Sequence, residues 1–338
     1  MLTKNVLTES EDEQNYLGQF IPLQYHHAML MDENRMDNFR AAIDHVVFPG
    51  AKVLELGGGT GVLSWFAAAK AAKVWCVEMN PELVAESRRL LAKNPHGHKV
   101  EVVQADAFEY LPPEPVDVMI CEMIHVAMLR EKQVQVVESF KRRYLEKFGG
   151  PLPVMIPTAV LMAVQPLQQN YHFHGYHAPI IQVQELTVNS PDSIEMAPPS
   201  LYGTLDFNAP NAIDIAWEGS FLMNQDGTVN ALRFITKNIL AMVEQTSSSI
   251  NWLNRYMAFP LAQPVNVKTG DVLRARFHYQ AGGMLSTLTE SMQVEVAQLA
   301  DIISINSRVP VSRSRFERDF AAVGLGADLR VLAASSAG

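Results

Sequence analysis

Three glycines at alternate positions, Gly57, Gly59 and Gly61, separate an apolar run, KVLEL (52–56), from a helical pattern that begins at Val62. A strand passing through such a turn into a helix is the opening of a βαβ unit, and the parallel sheet it builds needs helices on both faces. The rest of the stretch from about residue 33 to 150 alternates in the same way. Met36, Phe39, Ile43 and Val47 recur at helical spacing until Pro49-Gly50 ends the pattern. KVWCVE (73–78) reads as the second strand. Asn80-Pro81 starts a helix that runs to Lys93, because Asn caps free amides and Pro suits the first turn. VEVVQAD and VDVMICE add two strands, and residues 131–148 form a long helix closed by Gly149-Gly150.

Beyond Pro157 the helical patterns stop. TAVLMAVQPL, IIQVQELTV, AIDIAWEGSF, QPVNVKTGDVLRARFHY and SMQVEVAQL follow one another between turn residues, which predicts a mainly antiparallel β domain, a barrel or a sandwich. The fold class expected is therefore α/β followed by β, with the boundary at 150–158.

The bulk properties narrow the function classes. With 338 residues, 48% apolar and 19% charged, the chain is long enough for two domains with real cores. A net charge of −9 without a Lys/Arg cluster argues against nucleic acid as the partner and for cationic ligands. The uncharged stretch from 149 to 167 is broken by Pro151, Pro153, Pro157 and Pro166, which makes it a poor membrane span. The first residues lack the apolar core of a secretory signal, and Cys76 and Cys121 sit inside strand-like runs. Buried reduced thiols in a cytoplasmic protein are the expectation.

The glycine turn selects the cofactor. A dinucleotide site would have G-x-G-x-x-G, but position 62 is Val. The G-x-G-x-G spacing shifts weight from NAD to S-adenosylmethionine. Glu78 ends the next strand, where a carboxylate can accept both ribose hydroxyls. Asp106 follows VEVVQA, where such folds place an acid near the adenine amino group. Further on, CEMIHVAMLRE carries Glu122 and Glu131 nine positions apart. Two carboxylates beside a nucleotide-type cofactor suit a cationic, nitrogen-rich acceptor. The bland alternatives are a solvated acid at a strand end for Glu122 and a helix-dipole acid for Glu131.

On these residues the chain resembles the protein arginine methyltransferase family of class I methyltransferases. The resemblance runs from about Tyr16 through the KTG of 268–270 and is strongest between residues 24 and 160. It implies an N-terminal lid segment (1–32), a Rossmann-like cofactor domain (33–156) and a β-barrel domain (157–338). A dimerisation arm at about 168–200, and hence a homodimer, is implied as well. HHAMLMDENR is similar to the family's lid, so that His26 and Met29 would close over the cofactor and Arg35 would hold its carboxylate. Glu55, Gly57, Gly59, Gly61, Glu78 with Met79, and Asp106 with Ala107 complete the implied cofactor site. CEMIHVAMLRE is similar to the double-glutamate loop, with Glu122 and Glu131 as the catalytic acids. Substrate positions by the same resemblance are Tyr16, Phe20, Met29, His125, Asn251 and Trp252.

The departures point to the acceptor. Met123, Ile124 and His125 stand where the family has Trp, Met and Gly, and Asn251 where it has a histidine that pairs with an acid, here Asp32. These changes favour free arginine or another small guanidine over an arginine-containing peptide. Outside this pattern, His172, His174 and His177 lack a nearby Cys or acid, so an arm or dimer contact is preferred to a metal site. RSRFER (313–318) reads as a solvated helix face.

Overall fold

The computed structural model describes residues 23–186 and 192–297. Its first part is a five-stranded parallel sheet in the order β3-β2-β1-β4-β5, made of β1 (Lys52–Leu56), β2 (Lys73–Glu78), β3 (Val100–Gln104), β4 (Val118–Cys121) and β5 (Val154–Ile156). The strands read as continuous apolar runs because helices cover both faces. Around the sheet lie α1 (Leu23–Met31), α2 (Glu33–Val46), α3 (Val62–Ala68), α4 (Pro81–Leu91) and α5 (Gln133–Phe148). The local signals explain their starts. Asp32 caps α2 by accepting from the Arg35 amide at 2.9 Å, and Asn80 caps α4 by accepting from Glu82 at 2.9 Å. Helix α3 is shorter than its pattern, ending at Ala68, and α5 starts at Gln133 rather than at Glu131.

Strand order places the site. The sheet is built outward in both directions from the β1–β4 pair, in which Leu56 is level with Cys121. Ligands of open α/β sheets bind at the carboxyl ends of strands where the order reverses. The glycine turn leaves β1 and the acidic loop leaves β4 at that point, so neighbouring strand ends bring Gly57 and Glu122 together.

The second part is antiparallel. Its larger sheet runs β10-β6-β13-β15-β9, with β11 also on β6 and β14 also on β13. These strands are β6 (Ala159–Gln169), β9 (Gln182–Gln184), β10 (Ser193–Glu195), β11 (Ser200–Asp206), β13 (Gly227–Val243), β14 (Ser248–Leu253) and β15 (Tyr256–Val267). A three-stranded sheet of β12 (Asp214–Leu222), β16 (Val272–Gln280) and β17 (Gln293–Val296) faces it, with α6 (Leu285–Ser291) alongside. Tyr202, Phe234, Phe259 and Phe277 form the aromatic core between the two sheets, with edge contacts at 5.1–5.7 Å. Among the described residues no ladder joins the two sheets into one closed cylinder. Within 168–200, the short strands β9 and β10 pair with the larger sheet. What stands apart is the hairpin of β7 (His172–Phe173) and β8 (Tyr176–His177).

Candidate active site

The cofactor side is assembled around the glycine turn. Gly59 lies in the left-handed region at φ +52°, and a Cβ there would come within 2.7 Å of the His26 ring. Only a residue without a side chain lets the lid helix α1 lie this close to the turn. Glu78 reaches back from the end of β2, accepting from the Gly59 amide at 2.9 Å and from the Asn80 amide at 2.9 Å. His26 and Arg35 are 9% and 6% exposed, and His26 Nε2 and Arg35 Nε are buried without a hydrogen-bond partner. Native interiors leave few such atoms. Two buried nitrogens without partners, one of them on the ring that lies against the glycine turn, fit a nucleoside cofactor that also carries a carboxylate. The His26 ring is held below its usual pKa by burial, against the pull of Glu78 and Glu122.

Other implied cofactor residues divide. Glu55 is 2% exposed and accepts from both the amide and the hydroxyl of Ser64, so it ties α3 to β1 from behind the turn. Burial raises its pKa to about 7, against the Ser64 hydrogen bonds. Asp106 lies exposed at the end of β3 and accepts from the Phe108 amide at 2.8 Å, while Ala107 is half-buried and Met79 is exposed beside Glu78. Met29 is half-buried on α1.

The acidic loop, 122–132, is held in a costly shape. Ala127, Met128 and Arg130 all have positive φ, at 58°, 56° and 62°. Non-glycine residues adopt that region only where surroundings dictate it. Thr236, fully buried on β13, accepts from the Ala127 amide at 2.8 Å. The Gly282 amide donates to Met128, and the Arg130 amide donates to Gly283. At the other end Gln133, fully buried, donates to the Cys121 carbonyl at 2.6 Å and accepts from the Met123 amide at 2.8 Å. The β domain therefore shapes the loop that the α/β domain carries.

Inside this frame Arg35 donates to Glu122, with 7% and 9% of the two side chains exposed. The same guanidinium stacks over Phe39 at 5.4 Å and Trp252 at 5.8 Å. Glu131 has its pKa raised to about 8, first by burial and then by the charge of Glu122, while Arg35 and Arg130 oppose the rise. Glu131 lies just before the N-cap of α5 rather than in the helix's first turn. One carboxylate is paired with arginine and the other holds a proton near neutrality. This arrangement can accept a second planar cation.

Several expected neighbours do not meet. Asn251 donates to Ser249 on its own strand, at 3.3 Å to the carbonyl and 3.2 Å to the hydroxyl, and Asp32 is engaged in capping α2. No Asn251–Asp32 contact forms. His125 has its pKa lowered to about 4 by burial, so it is neutral at physiological pH and a poor base. Tyr16, Phe20 and the 313–318 segment lie outside the described residues. Trp252, 5% exposed, packs against Phe39 of α2 at 5.8 Å and so braces Arg35 from the β domain. His172 and His177 stack on each other at 4.7 Å across the hairpin. Gln133 and Thr236 went unpredicted, since an amide in an amphipathic helix and a hydroxyl in a strand carry no signal of what they bond.

Residues 53–147 match the family described as "Methyltransferase domain". Over 271 residues the chain is 30% identical to an uncharacterized protein of Methanothermobacter thermautotrophicus, covering 79% of this chain and 97% of that one. It is 32% identical over 168 residues to protein arginine N-methyltransferase PRMT10 of Oryza sativa subsp. japonica, covering 49% of this chain. The match takes in 43% of that relative, so the chain spans less than half the length of this curated protein. Among solved structures, the Trypanosoma brucei PRMT1 enzyme-prozyme heterotetrameric complex with AdoHcy aligns with a TM-score of 0.65. That alignment covers 82% of this chain and 99% of the other at 18% identity, a likeness of fold.

Proposed function

Since the chain belongs to the class I S-adenosylmethionine-dependent methyltransferases, in their protein arginine methyltransferase-like group, we propose that it methylates a guanidino nitrogen. The favoured acceptor is free L-arginine or a related small guanidine rather than an arginine-containing peptide. The observation that carries this reading is the pair of acids on one strained loop, Glu122 buried against Arg35 and Glu131 pushed up to about 8.

The residues that would hold the cofactor are His26 and Arg35 at its carboxylate end, the Gly57–Gly61 turn, and Glu78 at the ribose. When bound, S-adenosylmethionine supplies an electrophilic methyl group on a sulfonium. The chain's own residues do the rest. A guanidinium is a poor nucleophile because its lone pairs are delocalised and it stays protonated. Glu122 and Glu131 grip it by paired, charge-assisted hydrogen bonds, drawing its positive charge toward the bound nitrogens. Binding the cation displaces the proton held by Glu131, whose carboxylate then accepts the proton released from the methylated nitrogen. Holding one nitrogen in a fixed attack direction supplies much of the catalysis in a direct displacement.

Two features support a small acceptor. The auxiliary histidine position is Asn251, bonded to its own strand. Arg130 sits close enough to lower the pKa of both Glu131 and His125, and a cation within the loop works against arginine-rich segments. It favours an acceptor that brings its own carboxylate. The free, buried Cys76 and Cys121 support a cytoplasmic location. The exposed Phe173, Tyr176, Ile180 and Val183 on and after the hairpin support assembly into a homodimer.

Mass spectrometry after incubation with methyl-labelled cofactor tests the reading, with free arginine, an arginine peptide and no acceptor in parallel. Label on free arginine, abolished in Glu122→Gln and Glu131→Gln, is the expected result. Label on the peptide alone would reassign the acceptor. Binding of S-adenosylhomocysteine without any labelled guanidine would reduce the protein to a cofactor-binding scaffold.

A further inference from the structure

Every hydrogen-bonding half of the Gln133 side-chain amide is used on the backbone that flanks Glu122. Its Nε2 donates to the carbonyl of Cys121, the residue before Glu122, and its Oε1 accepts from the amide of Met123, the residue after. Gln133 itself follows Glu131 by two positions, at the first turn of α5. One fully buried side chain therefore ties the stem of Glu122 to the stem of Glu131. We propose that Gln133 is a positioning residue that sets the separation and orientation of the two carboxylates. The inference rests on the functional reading given above for this site.

The chemistry of the position is selective. A primary amide presents a donor and an acceptor side by side at every pH, whereas a carboxyl of the same reach does so only while protonated. A glutamate in its place, once ionised, could accept from Met123 but not donate to Cys121, and it would add an anion close to Glu122 and Glu131. A methionine could do neither and would leave a buried carbonyl and a buried amide unpaired. The loop between has its own anchors, Thr236 and the Gly282–Gly283 backbone, but these hold residues 127–130. They leave the direction in which Glu122 departs from β4 to Gln133 and to Arg35.

The test compares the wild-type chain with Gln133→Met and Gln133→Glu. Free arginine is the acceptor, S-adenosylhomocysteine binding is followed by calorimetry, and the ionisation of Glu131 by carbon-13 resonances of labelled glutamate carboxyls. Glu131→Gln assigns the signal. The expected result is a fall in kcat/KM on the order of 10²-fold in both variants, borne by kcat, with the affinity for S-adenosylhomocysteine retained. The Glu131 titration moves upward in Gln133→Glu, where a third anion faces it. If Gln133→Met does not fold, the isosteric Gln133→Glu carries the test. Lowered melting temperature with turnover and titration at wild-type values would leave Gln133 a merely structural amide and overturn the proposal. Should the wild type methylate no guanidine, the functional reading fails on its own, and the Glu131 titration in Gln133→Met, which adds no charge, still decides whether Gln133 sets the carboxylates.

Discussion

The Arg35 guanidinium donates to the Glu122 carboxylate across 87 positions of sequence, joining helix α2 to the acidic loop. Arg35 also carries an orphaned Nε, and its charge acts on the buried His26 ring that lies against the glycine turn. One side chain thus links cofactor capture to the orientation of a catalytic acid. Arg35→Ala strands Glu122 as a buried, unpaired anion, and breaking such a pair costs about 3–5 kcal/mol. Its melting temperature should drop sharply and its affinity for S-adenosylhomocysteine should be lost in calorimetry. Arg35→Lys keeps the charge but not the planar fork, so stability should largely return while cofactor affinity stays at least about tenfold weaker.

The elevated pKa of Glu131 makes turnover pH-dependent. With a value of about 8, the free protein carries this carboxyl mostly protonated at pH 7, and guanidinium capture needs it ionised. The profile of kcat/KM should therefore rise through pH 7 and level off above about 8. Acceptor binding near pH 7 should release a proton, which calorimetry in buffers of different ionisation enthalpy detects. A flat profile between pH 6 and 9 would remove Glu131 from the clamp.

The layout of the site was readable in the sequence because strand ends are. Runs such as KVLEL and VDVMIC can only be strands buried on both faces, and once they are neighbours, Gly57 and Glu122 must meet. The lid residues His26 and Arg35 were reached through the resemblance; their burial against the turn needed coordinates. Periodicity misplaced the start of α5, since an acid before a helical pattern looks like a first-turn residue. The left-handed Arg130 actually turns the chain before the helix begins. Asn251 and Asp32 each have a local partner, which no pattern foretells, since long-range pairing is not written in local sequence.

Glu131 and Glu55 also make stability depend on pH. Both carry pKa values raised above those of an unfolded chain, to about 8 and about 7. The native state binds more protons between pH 4.5 and 8, so this contribution is full below about 4.5 and is lost as pH rises through 7 and 8. Glu131→Gln mimics the protonated acid. Its melting temperature should stay nearest wild type below about pH 5 and exceed it by a margin that widens as pH rises from about 5 to 8.

Thr236 reaches the acidic loop from the other domain, and its hydroxyl is the acceptor for the Ala127 amide at a residue with φ 58°. Thr236→Val keeps the shape and removes that acceptor. A buried amide left unsatisfied costs about 1–3 kcal/mol, and here it also frees a strained loop. Chemical denaturation should show the loss, and kcat should fall more than the affinity for S-adenosylhomocysteine, because the residues that would hold the cofactor lie on α1, α2 and at the ends of β1 and β2. Equal losses in both would place the effect in global unfolding.

The hairpin offers a test of assembly that leaves the site untouched. Tyr176 is 73% exposed and Ile180 60%, while the neighbouring Phe173 and Val183 extend the same apolar surface. Exposed side chains contribute little to a monomer, so Tyr176→Asp with Ile180→Asp should change the melting temperature of an isolated protomer hardly at all. A homodimer built on this surface would have to bury two carboxylates per protomer without partners, which is costly enough to prevent association. Sedimentation velocity at micromolar concentration should therefore show a dimer for wild type and a monomer for the double variant. A wild type that sediments as a monomer, or a double variant that remains a dimer, would remove the hairpin from the interface.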